Sequence, residues 1–178
     1  MVDYSACVRI TLPPLFEREI VWDARGDRIV WQVGERYRIT VLEADGDRLS
    51  LRRRTPVREI DRETALAQLG EGAKVTTPEG TCRLDPEERL EGRGFHSTLP
   101  PLERLVLTPS GGVWAVRYAL RGEEPAVDVF DPEGGYVGTL PPGTPVPVVF
   151  LSADTFLAEE TDDVGVERLV SYRILRRG

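Results

Sequence analysis

Histidine occurs once in this chain, at His96, methionine once, and cysteine twice. A single imidazole excludes histidine-rich metal sites and a catalytic triad chosen among several bases, although one histidine can still act as a base. Cys7 and Cys82 stand 75 positions apart, so neither a disulfide scaffold nor a CxxC metal site is indicated. The pair reads as two unpaired thiols packed as small apolar groups, with a single bridge as the alternative. No stretch reaches the roughly 20 apolar residues of a membrane-spanning helix, and residues 1–7 lack the basic start and apolar run of a signal peptide. No GxGxxG or GxxxxGK sequence opens a helix, which leaves nucleotide cradles unsupported. Basic residues are outnumbered 23 to 30, for a net charge of −7, the opposite of the basic stripe that tracks a phosphate backbone. These absences predict a soluble chain with no nucleic-acid partner, no membrane span, no cofactor and no metal site.

Repeats are what the sequence does contain. Leu12-Pro13-Pro14-Leu15 recurs as Leu99-Pro100-Pro101-Leu102, 87 residues on, and Leu140-Pro141-Pro142 follows 41 residues later. The first interval is close to two periods of about 43, within the range of a four-stranded propeller blade. Five turns repeat inside that spacing, each with glycine in the fourth place: Asp23–Gly26, Glu43–Gly46, Thr77–Gly80, Thr108–Gly111 and Asp131–Gly134. Several place proline second, which pre-sets a type I turn, and the glycine then takes the left-handed backbone that returns the chain to a strand.

Between the turns lie short alternating runs that predict strands: 28–33, 37–42 and 48–51 in one unit, and 113–118, 126–130 and 136–140 in another. Aligning these units matches Trp31 with Trp114 and Gly46 with Gly134. A third unit, 141–175, offers three strands, and a spare strand at 4–11 is available to complete it, since closing a ring removes exposed edges. The stretch 55–98 breaks the pattern. Asp61 caps a short helix over 62–69 stopped by Gly70, and Asp85 precedes a second helical turn, so this stretch is either a helical insertion around 61–92 or a degenerate blade. The predicted class is all-β, with four-stranded antiparallel blades at 12–54 and 99–140 and a C-terminal blade at 141–175.

The residues Gly111–Tyr118, then Asp128–Gly134 with Tyr136-Val137-Gly138, then Thr161–Arg173, together with Arg36-Tyr37-Arg38-Ile39, resemble the C-terminal half of bacterial six-bladed β-propellers of the NHL and TolB-like type. The resemblance implies a fold, allows an extracytoplasmic parent protein, and is nearly silent on activity. Six blades need roughly 260 residues, so the chain is expected to be a fragment of a longer propeller, a small closed ring, or a unit that associates with itself through open blade edges.

No catalytic signature is present. Trp31, Trp114, Arg117 and Tyr118 are the candidate binding residues, and Trp22 and Tyr136 could join them in lining a binding surface or channel mouth, although aromatics at matching blade positions more often pack between blades. The run Arg52-Arg53-Arg54 reads as solvated side chains at a strand end, with an anion or partner contact as the alternative. Function follows from sites and not from fold, and two classes compete. A non-catalytic interaction module would present loops to a protein, peptide or glycan. A metal-dependent hydrolase or lyase would instead need several of Asp23, Asp128, Asp154 and Glu159 to converge in the central channel.

Overall fold

A computed structural model of the chain describes residues 2–4, 8–10, 12–78, 80–162 and 165–175. In chain order, β1 (Val2–Tyr4) and β2 (Val8–Ile10) are followed by β3 (Val21–Arg25), β4 (Arg28–Gln32), β5 (Arg38–Leu42) and β6 (Arg48–Arg52). Helix α1 (Arg62–Leu69), strands β7 (Ala73–Thr77) and β8 (Gly80–Leu84) and helix α2 (Pro86–Arg93) come next. The chain continues with β9 (Leu102–Leu107), β10 (Val113–Arg117), β11 (Val127–Phe130) and β12 (Tyr136–Thr139), then β13 (Pro147–Phe150), β14 (Thr155–Thr161) and β15 (Glu167–Arg173). The all-β class predicted from alternation is what the strands form. Each pair of neighbouring strands is antiparallel and consecutive in sequence.

The chain divides into two compact units, Met1–Arg18 with Pro56–Pro100, and Glu19–Thr55 with Pro101–Gly178. In the first unit, α1 forms where expected because the Asp61 carboxylate accepts the Thr64 N–H (2.8 Å) and Gly70 ends the helix at φ +59°. Helix α2 starts with Pro86 after its cap Asp85 and runs a turn further than the sequence suggests. Strands β7 and β8 make a separate two-stranded sheet with Leu84 buried, so 61–93 is a helical and hairpin insertion with no four-stranded blade among the described residues.

Two expectations are corrected in this unit. The N-terminal segment does not complete the last sheet: β1 pairs with β2, and β13–β15 stand as three strands among the described residues. A local hairpin closes a far shorter loop than pairing with residues 150 positions away, and so costs less chain entropy. Nor are the thiols unpaired, since Cys82 is disulfide-bonded. Cys7, the other cysteine of the chain, lies outside the described residues.

The second unit is a stack of three sheets, β3–β6, β9–β12 and β13–β15. Alternation sends Val30, Ile39, Val41 and Leu51 to one face of the first sheet, where they pack on Leu105, Leu107, Val113, Ala115 and Phe130 of the second. The opposite face of the second sheet, with Val106, Trp114, Val116 and Val127, packs on Phe150, Phe156 and Ala158 of the third. Each of these larger apolar side chains contributes roughly 1.5–3 kcal/mol on burial. Polar groups also tie the sheets: Arg28 donates to Glu43 Oε1 (2.7 Å), to the Pro132 carbonyl (3.1 Å) and to the Gly111 carbonyl, and the Asp23 carboxylate accepts the Leu107 N–H (2.7 Å).

The turns at 43–47, 108–112 and 131–135 share one hydrogen-bond pattern. In the last, Asp131 N–H donates to the Gly135 carbonyl (2.9 Å) and Gly134 N–H to the Asp131 carbonyl (3.1 Å). Gly134 sits at φ +88°, and a Cβ there would lie 2.7 Å from the Cδ2 atoms of Leu49 and Leu51. Left-handed backbone costs a non-glycine residue roughly 1–2 kcal/mol, and the crowding adds to it. Gly134→Ala is therefore expected to destabilise the chain by about 2 kcal/mol in urea unfolding, whereas Gly46→Ala, with open space at its Cβ position, should cost only the backbone part.

Candidate functional site

The strongest convergence of polar groups is built around Asp128. In β11 the alternation places Val127 and Val129 toward the third sheet and Asp128 toward the first, where it is fully buried. A buried carboxylate needs partners, and five donors supply them. Tyr37 Oη donates to Oδ2 (2.8 Å), Arg117 donates through Nε to Oδ2 (2.9 Å) and through Nη2 to Oδ1 (2.8 Å), and Thr139 Oγ1 donates to Oδ1 (2.6 Å). Arg53 completes the set, with its Nη1 on Oδ1 and also on Thr139 Oγ1 (2.7 Å). Since the Thr139 hydroxyl proton goes to Asp128, Tyr136 Oη is the donor in its 2.6 Å contact with Thr139. The Tyr136 ring in turn lies 4.6 Å from the Arg53 guanidinium carbon, a cation–π contact.

Electrostatics follows from that geometry. Burial pushes the Asp128 carboxyl up, but the bonds from Arg117, Thr139 and Tyr37 outweigh it and hold the group below the usual carboxylate range. Burial first, and the neighbouring Asp128 charge second, push the Tyr37 phenol far above its ordinary value, so it stays protonated as a donor. A carboxylate has about four lone-pair sites, and five donors address this one. No lone pair remains to take a proton from a substrate or to ligate an ion, so the cluster links the first and second sheets and performs no acid–base work.

A different surface is open. On the outer face of the first sheet, Trp22 and Trp31 stand opposite each other across β3 and β4, with Thr40 next in register. Trp22 is 65% exposed and Ile29 43%. Trp31, Val33, Glu35, Arg36, Arg38 and Thr40 line an open cleft of about 430 Å³. An indole beside two guanidinium groups suits a planar or carboxylate-bearing segment, through stacking and charge-assisted hydrogen bonds.

The candidate residues therefore separate. Trp31 lines the cleft, Arg117 holds Asp128, and Tyr118 is half-buried just past β10. Trp114 is 8% exposed, with its ring edge-on to Phe150 at 5.2 Å and 5.8 Å from Phe156. Both tryptophans lie on the second strand of their sheets, as aligned, but Trp31 faces away from the second sheet and Trp114 faces the third. The four carboxylates of the metal-enzyme hypothesis are held apart. Asp23 accepts the Leu107 amide, Asp128 is saturated, Asp154 accepts from Ser152, Thr155 and Arg173, and Glu159 is exposed. Among the described residues, no group of three or more His, Cys, Asp or Glu side chains could hold a metal ion. Half-buried His96 sits in the first unit, its N–H donating to the Leu15 carbonyl (3.0 Å).

Arg53, Tyr37 and Thr139 were not among the candidate site residues read from sequence. The signal for Arg53 was present, since Leu49, Leu51 and Arg53 are spaced by two and share the inward face, which takes the middle arginine of the 52–54 run out of the solvated set. No protein-family model matches this chain, and no curated protein is significantly similar to it in sequence. Among the described residues, no helix is long and apolar enough to cross a membrane.

Proposed function

We propose that the protein is a non-catalytic interaction module built from consecutive propeller blades of the NHL and TolB-like type. Its binding face is the outer face of the first sheet, and its partner is a polypeptide. The observation that carries this is the contrast between the two clusters: the convergent titratable groups are saturated by one another around Asp128, while Trp31, Glu35, Arg36 and Arg38 line an open cleft and exposed Trp22 stands opposite Trp31. Two features support the propeller part of the proposal. Sheets of sequential antiparallel strands stack face to face, and their first strands β3, β9 and β13 neighbour one another, as the inner strands of successive blades do. The disulfide at Cys82 fits an oxidising compartment, in keeping with an extracytoplasmic parent. The metal-dependent hydrolase or lyase has no observation in its favour.

Thermal unfolding with calcium, magnesium, manganese or zinc, against a chelator control, tests the non-catalytic reading. An ion bound at a hundredfold its dissociation constant stabilises by about 2.7 kcal/mol, a shift of several degrees for a chain of this size. No shift is expected. A rise of that size, abolished by Asp23→Asn or Asp154→Asn, would restore the metal enzyme and sink the interaction module.

A further inference from the structure

The stack in the second unit ends on two uncovered faces, and their chemistries are opposite. On the first sheet, the strand residues alternating away from the core include Trp22, Ile29, Trp31, Arg38, Arg48 and Arg52, with no carboxylate among them. On the third sheet, the outward set includes Val149, Leu157, Leu169, Glu159 and Glu167, and Leu169 is 62% exposed. Among the described strand residues of this sheet, the one outward arginine, Arg173, lies 3.3 Å from Asp154. One face is therefore an apolar centre whose rim is mainly basic, with Glu35 beside Arg36 and Arg38, and the other an apolar centre with an acidic rim. Such uncovered apolar patches mark association surfaces.

We propose that these faces are the two halves of one contact, in which the third sheet of one copy of this chain docks on the first sheet of a second copy. The proposal rests on the interaction-module reading and names its partner. The contact repeats what the chain already does internally, where the apolar faces of successive sheets build both cores. Opposite rim charges set the pairing and its orientation.

A contact between unlike faces either closes or grows into a filament. Two copies, each giving one face of each kind, close with both faces covered, and bring together six stacked sheets. Area agrees with a specific pair. Four five-residue strands cover roughly 17 by 19 Å, so two such contacts bury on the order of 1,300 Å² in total, inside the range of specific interfaces.

Size-exclusion chromatography with light scattering, at tens of micromolar protein, is the test. Wild type is expected at twice the chain mass of 19.9 kDa. Leu169→Asp and Trp22→Asp should each weaken the pair at least about tenfold and elute as monomers, with thermal unfolding still cooperative because both side chains are exposed. Arg38→Glu with Arg52→Glu should also give monomers, and adding Glu159→Arg with Glu167→Arg to the same chain should restore the pair. A wild-type monomer, a mass above two copies, or a pair that survives both aspartate variants overturns the proposal. A monomer whose melting temperature ignores divalent ions leaves the interaction-module reading standing with a different partner, whereas ion-dependent melting removes that reading itself.

Discussion

Asp128→Asn is expected to remove about 3 kcal/mol of folding stability, measured by urea unfolding near neutral pH. Removing one member of a buried ion pair costs roughly 3–5 kcal/mol, because the remaining charge is left without compensation. Arg53 and Arg117 keep 27% and 29% exposure, so water recovers part of that loss and the lower end applies. The asparagine amide would also point N–H groups toward guanidinium donors. Tyr37→Phe removes one neutral donor among five and should cost about 1 kcal/mol. The sign with pH follows from the lowered Asp128 value. A carboxyl held below its unfolded value of about 3.9 contributes stability that is fully present above that pH. The contribution is lost as pH falls through the native value, so wild type should lose its advantage over Asp128→Asn in acid. Equal midpoints at neutral pH, or parallel acid profiles, would show that the cluster does not hold the sheets together.

How far this cluster was legible in sequence depends on what a two-residue period records. The period fixes which side chains share a face, and it placed Asp128 with Phe130 and against Val127 and Val129. An ionised group on an apolar face is already a sign of buried partners. The partners themselves come from the residue before β5, from the residue after β6 and from β12, and no local pattern connects residues 37, 53 and 139 to 128. The same limit explains the tryptophans. Alignment put Trp31 and Trp114 on equivalent strands, but periodicity cannot say which neighbouring sheet a face meets, and here one indole is core and the other lines a cleft. Turn chemistry carried more weight, since Gly46, Gly111 and Gly134 all take the positive φ their position demands and thereby fix hairpin ends and register. The N-terminal segment failed for a converse reason. An isolated apolar run fits any open edge, and chain entropy favours the nearest.

Cys82→Ser is expected to be the other large perturbation, and it bears on the first unit. That unit divides about sixty residues between two short helices and two hairpins, with Leu84 packed by half-buried Leu12, Ala73 and Val75. A body of that size buries too little apolar surface for much stability of its own and leans on a covalent link. A bridge closing the 75 positions between the chain's two cysteines would be worth on the order of 4 kcal/mol through the entropy it removes from the unfolded chain. Cys82 lies in β8, which among the described residues pairs with β7 alone. Denatured, unreduced protein should show no titratable thiol and reduced protein two. Cys82→Ser, or reductant, should lower the melting temperature and expose the 56–100 region to protease, while the near-ultraviolet signal of Trp114, buried in the second unit, persists to higher temperature. Two free thiols before reduction would refute the bridge. Loss of the Trp114 signal in step with the proteolysis would mean that the two units unfold as one, and that the bridge stabilises the whole chain.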